Sequence, residues 1–117
     1  MIGIDTTTVE RIKKLVDKWG DRFYKKTLNE KEILLCKGKF HTFAGFFAAK
    51  EAASKAIGTG IGGSCGFHDI KIKKDKNGAP KIKYKKEIRK KFGIKNSYLS
   101  ITHNENIVIA IVVNVLK

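Results

Sequence analysis

The sequence is poor in proline and cysteine, and it contains no long apolar run. One proline among 117 residues, with 42% hydrophobic residues, is typical of a compact globular chain and argues against a disordered one. Cys36 and Cys65 lack clustered Cys or His neighbours, which argues against a zinc site and favours two free cytosolic thiols. The longest apolar run, Ile107 to Val113, is too short to span a bilayer. No secretory signal pattern opens the chain, so we expect a cytoplasmic protein.

Acidic residues are also scarce, because 11 Asp and Glu face 25 Lys and Arg, for a formal net charge of +14. Twelve of these basic residues lie between Lys71 and Lys95. Such a field attracts polyanions, which include nucleic acids, acidic proteins and phosphorylated small molecules. A lysine-rich surface that is merely solvated is the alternative, and charge alone does not choose among these.

The length predicts a single domain over residues 1–117. Helical spacing predicts a helix from Val9 to Trp19 that ends at Gly20, followed by a short helix from Asp21 to Lys26. Asn29 and Glu32 have the spacing of a capping box, so a third helix is expected to run to about Cys36.

The second half of the chain is predicted to be mainly β-structure. The last strand is apolar on both faces, which indicates burial on both faces and therefore contact between subunits. The expected fold is α+β, with one long buried helix on an antiparallel sheet. The expected elements are strands at Phe67–Lys74 and Lys81–Tyr84 around a turn at Asp75–Gly78, a basic helix at Lys85–Phe92, and strands at Asn96–Thr102 and Asn106–Leu116.

The stretch from Phe43 to Ile57 predicts the long helix, since alanine dominates it and Gly58 stands where a left-handed cap would end it. The helix is expected to begin near His41 or Thr42. It is apolar nearly all round, yet it carries Glu51 and Lys55 four residues apart. A Glu51–Lys55 ion pair is the simplest explanation of these charges.

Three further features are candidates for a site. Asp5 ends a predicted strand at Ile2–Asp5, where it would either cap the next helix, which we favour, or hold a metal. The segment from Gly58 to Gly66 follows a helix, so it is not a nucleotide phosphate loop, but glycine also allows a ligand close to the backbone. His103 stands at the end of an alternating strand, where a lone histidine is usually structural or exposed.

Three motifs together resemble one family. They are Ile2-Gly-Ile-Asp5 with Val9, Arg11 and Ile12; Phe47-Ala-Ala-Lys-Glu-Ala-Ala-Ser-Lys-Ala-Ile-Gly-Thr-Gly-Ile61; and Ser100-Ile-Thr-His103 followed by Ala110. In this order and spacing they resemble the holo-acyl carrier protein synthases, the small phosphopantetheinyl transferases. The resemblance covers essentially the whole chain, and the Asn77-Gly-Ala-Pro80 turn is similar to the family's Asn-Gly-Lys-Pro turn.

The resemblance implies an enzyme with the 4′-phosphopantetheinyl transferase fold that supports fatty acid biosynthesis. Such enzymes transfer the 4′-phosphopantetheine group of coenzyme A to a serine of apo-acyl carrier protein and release adenosine 3′,5′-bisphosphate. They require Mg²⁺, and members of this size are typically homotrimers with active sites between subunits. The carrier protein is acidic, so the charge of +14 acquires a specific purpose. Neither a membrane nor a nucleic acid is an expected partner.

The resemblance also implies roles for individual residues. Asp5 and Glu51 match the Mg²⁺ ligands, Lys55 the lysine on the transferred phosphate, and His103 the histidine near the coenzyme A phosphates. Glu51, Lys55 and His103 are therefore the catalytic candidates, and the serine's proton has two possible acceptors, Glu51 and a metal-bound water. Coenzyme A contacts are expected from Lys55, Gly58, Gly60, Ile61, Asn77, Pro80 and His103, and carrier-protein contacts from Arg11, Lys14, Arg22 and Phe23.

Two positions depart from the family pattern. Phe46 replaces an arginine; if that arginine holds a coenzyme A phosphate, this chain must use other lysines or bind coenzyme A more weakly. Thr8 stands where the family often has a carboxylate. Because threonine cannot replace a carboxylate, we expect no role for this residue at or beside the metal. The alternative functions are a basic nucleic-acid-binding domain and an inactive subunit that keeps only the fold.

Overall fold

The computed structural model describes all 117 residues and has the expected α+β architecture. Two antiparallel sheets and five helices surround one core. The elements are β1 (Ile2–Thr8), α1 (Val9–Trp19), α2 (Asp21–Thr27), α3 (Glu30–Cys36), α4 (Phe40–Ala56), β2 (Ile70–Lys74), β3 (Pro80–Tyr84), α5 (Lys86–Phe92), β4 (Ile94–Asn104) and β5 (Ile107–Leu116).

The main sheet has the strand order β1–β5–β4, and β2 and β3 form a separate hairpin. Asp5 pairs with Ala110 of β5, which in turn pairs with Ile101 of β4. Since directly paired residues point to the same face, this row places Asp5 on the side where Ala110 is buried. Helix α4 packs on that side, and we call it the inner face.

Helix α4 is buried as predicted, with eleven of its seventeen residues inaccessible. Its small residues allow close contact with the sheet. A Cβ on Gly3 would overlap the Ala52 carbonyl oxygen and lie 2.6 Å from the Ala56 nitrogen, while Gly45 lies against Ile101. Glycine at residue 3 therefore sets how closely β1, and with it Asp5, approaches the helix.

Several predicted boundaries were wrong. Strand β1 continues to Thr8, so Asp5 lies in mid-strand and does not cap α1; the Thr8 hydroxyl caps it and accepts from the Arg11 N–H at 3.0 Å. Helix α4 begins at Phe40, before His41 and Thr42, with no side-chain cap. Residues Phe67–Asp69 form a 3₁₀ turn before β2, because the Asp69 carboxylate bonds back to the Gly66 N–H at 2.8 Å.

Other local predictions are confirmed. Asn29 and Glu32 form the capping box of α3, and the turn between β2 and β3 contains Gly78 with a φ of 83°. Cys36 and Cys65 are free and buried, and burial raises the pKa of each thiol to about 11. No helix has the length and apolarity that a membrane crossing requires.

The other side of the main sheet, here called the outer face, is apolar and open to solvent. Within β5, the residues that alternate with the buried Val108, Ala110 and Val112 remain accessible. The large apolar residues exposed on this face are Ile2, Ile4, Tyr98, Ile107, Ile109, Val113 and Val115. Both faces of β5 were predicted to be buried, and within this chain only the inner face is buried.

Candidate active site

Asp5, Glu51 and Lys55 come together where β1 meets the C-terminal half of α4. The Lys55 Nζ lies 2.6 Å from the Asp5 Oδ1, with the lysine side chain 51% exposed and the aspartate 13% exposed. The Glu51–Lys55 pair suggested by the sequence does not form, because Lys55 pairs with the carboxylate on the neighbouring strand. Two carboxyl groups and one ammonium therefore share a partly open site.

The electrostatics of this cluster suit a cation. Burial raises the pKa of Glu51, repulsion by Asp5 raises it further, and Lys55 and Arg11 oppose both effects. Two adjacent carboxylates that repel each other would be stabilised by a divalent cation between them. No group of three or more His, Cys, Asp and Glu side chains is placed to hold a metal, so the donor set is limited to two carboxylates. Mg²⁺ fits such a set, since it usually takes one or two carboxylates together with water and phosphate.

Arg11, which was predicted to contact the carrier protein, lies close to this cluster. Its guanidinium lies over the Phe47 ring, 5.6 Å from the centroid, and 3.5 Å from the Thr7 hydroxyl. Phe47 is one helical turn before Glu51 on α4. Arg11 therefore borders the site and the surface of α1 at once.

The glycine-rich loop leaves α4 directly after Lys55. Gly58 and Gly60 have φ values of 81° and 66°, and their N–H groups donate to the carbonyls of Lys55 and Ser54. Positive φ explains why glycine stands at these two positions. Ile61 follows, half-buried against the core. The predicted ligand-binding loop thus adjoins the Asp5 cluster.

Pro80 and His103 lie elsewhere, in a pocket of about 220 Å³ at the N-terminal end of α4. The His103 ring lies 5.2 Å from that of His41, between ring centroids. His41 is exposed, as expected. Asn77 lies beyond this pocket, exposed in the hairpin turn.

One chain does not bring these two groups of predicted residues together. His41 and Glu51 are ten residues apart along α4, or roughly 15 Å. Strand β5 separates His103 on β4 from β1 and Asp5. The site predicted as a single cluster is therefore divided into a carboxylate group and a histidine group within the monomer.

The two departures from the family pattern have local explanations. Phe46 lines the histidine pocket, and the Lys74 Nζ lies 6.0 Å from the centre of its ring. A cation is thus present beside the position where the family has arginine. Thr8 serves as the N-cap of α1, a structural role that needs no carboxylate.

A groove of about 420 Å³ separates α1 from α2, and its charged lining consists of Arg22 and Lys26. Trp19, the last residue of α1, is 47% exposed and forms one wall, with Arg22 and Lys18 near its ring. Phe23, predicted to face a partner, lines this groove and is 9% exposed, because its ring also packs on core phenylalanines. Lys14 lies on the exposed side of α1, paired with Glu10.

Sequence reasoning missed the partner of Lys50. This lysine and Glu32 are both fully buried, and the Lys50 Nζ lies 2.7 Å from the Glu32 Oε1 and 2.9 Å from the Thr27 carbonyl. Burial lowers the pKa of Lys50, and the bond to Glu32 opposes this. Glu32 also accepts from the Ile72 N–H at 2.7 Å. A lysine on an apolar helix indicated that a buried partner was needed. The sequence did not identify that partner, because Glu32 lies eighteen residues away in a capping box.

Comparisons with known proteins all lead to one family. The model of the 4′-phosphopantetheinyl transferase superfamily matches residues 1–112. A holo-[acyl-carrier-protein] synthase of Aliarcobacter butzleri is 73% identical over all of this chain and 98% of its own. The crystal structure of the Helicobacter pylori holo-[acyl-carrier-protein] synthase in complex with coenzyme A superposes with a TM-score of 0.96 at 44% identity, covering 98% of this chain and 100% of that one. A Bacillus anthracis synthase in complex with CoA (3′,5′-ADP) superposes with a TM-score of 0.81 at 37% identity, covering 97% and 93%.

Proposed function

This chain belongs to the 4′-phosphopantetheinyl transferase superfamily, and we infer from this membership how its residues divide the work of the reaction. The protein transfers the 4′-phosphopantetheine group from coenzyme A to a serine of apo-acyl carrier protein. Adenosine 3′,5′-bisphosphate leaves, and the product serves fatty acid biosynthesis. The convergence of Asp5, Glu51 and Lys55 in a chain that matches the family over residues 1–112 carries this conclusion.

Asp5 and Glu51 are the residues that would hold Mg²⁺. When bound there, the ion would neutralise phosphate charge and orient the diphosphate of coenzyme A. The repulsion between the two carboxylates supports this assignment, because it disfavours the charged pair until a cation joins it. Strand β1 fixes the direction of Asp5, and the buried helix fixes that of Glu51.

Lys55 would neutralise the phosphate that is transferred. Its side chain is half-exposed and long, so its ammonium can reach a phosphate bound beside Asp5. Phosphoryl transfer asks the protein mainly for positioning and charge neutralisation, and the nucleophile is the serine of the partner. Gly58, Gly60 and Ile61 would form the wall next to this phosphate.

Pro80 and His103, in the histidine pocket, and Asn77 beyond it would bind another part of coenzyme A. Lys74 would supply the cation that the family obtains from arginine at the position of Phe46. Since this pocket and the Asp5 cluster are separated within one chain, the pocket of a neighbouring subunit would complete each site. A homotrimer with sites between subunits satisfies this requirement.

The exposed outer face of the main sheet supports the trimer. Ile2, Ile4 and Ile107 are more than half exposed in the monomer, which is costly unless another subunit covers them. Native mass spectrometry should give three times the mass of the 13.1 kDa chain. A monomer that is fully active would rule out sites shared between subunits.

The groove between α1 and α2 would receive the carrier protein. Arg22 and Lys26 supply positive charge in its lining, and Trp19 supplies an exposed aromatic anchor. Arg11 and Lys14 would add contacts from elsewhere on α1. Arg11 would connect docking to chemistry, since it borders both this surface and Glu51. We also propose a cytoplasmic location, because the two buried free thiols suit a reducing compartment.

Incubation with coenzyme A, Mg²⁺ and apo-acyl carrier protein tests this function. Mass spectrometry should show one added phosphopantetheine on the carrier protein and none when its acceptor serine is changed to alanine. No addition with several carrier proteins would contradict the assignment.

A further inference from the structure

The hairpin and α5 enclose a surface cavity of about 490 Å³ whose lining is almost entirely cationic. No carboxylate lines it, and its two hydrophobic residues, Ile82 and Tyr84, are buried. The proposed reaction uses none of these charges. The basic residues that line the cavity are Lys71, Lys73, Lys81, Lys83, Lys85, Lys86 and Arg89. Of these, Lys85 forms an ion pair with Asp69.

The lysines of the hairpin oppose one another directly. Lys71 pairs with Lys83 and Lys73 with Lys81 in the antiparallel register, so each pair projects from the same face. Like charges at directly opposed positions destabilise a sheet. None of these four ammonium groups has a carboxylate within ion-pair distance. The hairpin thus carries a repulsion that an anionic partner would relieve.

This cationic surface lies next to α2, which forms one wall of the proposed docking groove. His68, at the base of the hairpin, contacts the Lys25 carbonyl of α2 through its Nε2 at 2.7 Å. A second cavity of about 490 Å³ lies between the start of α3 and β2, and Glu30 is the only carboxylate in its lining. Its lining includes Lys31, Lys71 and Lys73. We call this surface, from the start of α3 across the hairpin to α5, the basic band.

We propose that the basic band captures the acidic carrier protein and guides it to the α1–α2 groove. This proposal rests on the proposed function, which makes an acidic protein the partner. Clustered charges of one sign raise association rates by roughly 10- to 1,000-fold at low ionic strength. No exposed Phe, Tyr or Trp lines either cavity, whereas proteins that bind single-stranded nucleic acid use such rings to stack bases. The band therefore suits an acidic protein surface better than a nucleic acid.

A pair of matched variants tests the band. In the first, Lys71, Lys73, Lys81 and Lys83 are changed to glutamine; in the second, the exposed lysines Lys37, Lys90, Lys91 and Lys95 are changed in the same way. Both lose four charges, but only the first removes lysines that line the two cavities. Thermal unfolding should show that the first variant is at least as stable as wild type, because it removes two like-charge pairs.

The measurement is kcat/KM for apo-acyl carrier protein as a function of salt. The band variant should lose roughly tenfold at low salt, with kcat and the KM for coenzyme A unchanged, and the loss should vanish at about 0.5 M salt. The control variant should lose about threefold at most. Equal losses in the two variants would overturn the proposal, because net charge alone would explain them. An unchanged kcat/KM in the band variant would also overturn it, while continued transfer would leave the proposed function standing.

Discussion

Lys50 and Lys55 lie on the same helix, yet their ion pairs differ sharply in exposure to solvent. The pair of Lys50 with Glu32 has both side chains 0% exposed, whereas the pair of Lys55 with Asp5 has side chains 51% and 13% exposed. The N···O distances are nearly equal, 2.7 Å and 2.6 Å. Burial and surroundings, rather than the contact distance, therefore distinguish the two pairs.

The buried pair is bound on every side. Lys50 also donates to Thr27 at the end of α2, and Glu32 accepts from Asn29 of its own cap and from Ile72 of β2. This ion pair thus connects α4 with α2, α3 and β2. These contacts fix both the rotation of α4 about its axis and its position along that axis. The exposed pair has no such connections, so its lysine is free to exchange a carboxylate for a phosphate. We interpret the first pair as structural and the second as functional.

Lys50→Met should give the largest loss of stability, because it leaves the Glu32 carboxylate buried without its cation. The expected cost is about 3–5 kcal/mol in the free energy of unfolding, measured with urea. A double variant, Lys50→Met with Glu32→Gln, should lose less than the sum of the two single changes. A cost below about 1 kcal/mol for Lys50→Met would contradict the structural role of the pair.

Gly3→Ala should come next, since the new Cβ would overlap the Ala52 carbonyl and push β1 away from α4. Overpacking of this kind typically costs about 1–3 kcal/mol. Because Asp5 is on the same strand, transfer should also slow. Gly62→Ala is the control, since a Cβ there has open space around it and its φ lies outside the left-handed region. Equal unfolding midpoints for the two variants would refute the proposed role of Gly3.

Lys55→Ala should reverse this pattern, with little change in stability and a large loss of rate. The Lys55 end of the pair is half-exposed, and ion pairs open to solvent contribute about 1 kcal/mol or less. Loss of a charge that stabilises the transition state costs roughly 100- to 1,000-fold in rate. Single-turnover transfer followed by mass spectrometry measures the second effect. A near-normal transfer rate together with strongly reduced stability would contradict our assignment, because Lys55 would then have the structural role that we give to Lys50.

Asp69→Asn should have the smallest effect, and it should depend on pH. The Gly66 N–H and then Lys85 hold the pKa of Asp69 below its ordinary value of 3.8. The charged aspartate therefore adds stability above pH 3.8, and this is lost as the pH falls through its folded-state pKa. At pH 7 the free energy of unfolding should be larger for the wild type than for the variant. At acidic pH the two free energies should become equal. A difference that stays constant with pH would contradict this.

Local features of the fold could be predicted from the sequence, because nearby residues determine them. The capping box of Asn29, the turn at Gly78 and the burial of α4 follow from spacing and composition over a few residues. The end of β1 could not be predicted in the same way. Pairing of Thr7 and Thr8 with Val108 and Ile107 of β5 extends that strand, and these partners lie about a hundred residues away.

The residues of the candidate site could be identified through family resemblance, but their geometry could not. The pairing of Lys55 with Asp5 spans fifty residues, so helical spacing favoured Glu51 as the partner instead. Spacing also gave no sign that His103 and Pro80 lie apart from Glu51 within one chain. The surface position of Trp19 depends on the packing of α2 against α1, which no local pattern encodes.

The central claim, that the carboxylates beside Lys55 serve transfer rather than folding, is tested most directly by Glu51→Gln. Transfer to apo-acyl carrier protein at saturating Mg²⁺ and the thermal unfolding midpoint would be measured on the same preparation. We expect no detectable transfer and an equal or higher midpoint, because burial and Asp5 both disfavour the charge that is removed. Full transfer, or loss of transfer together with unfolding, would contradict the claim.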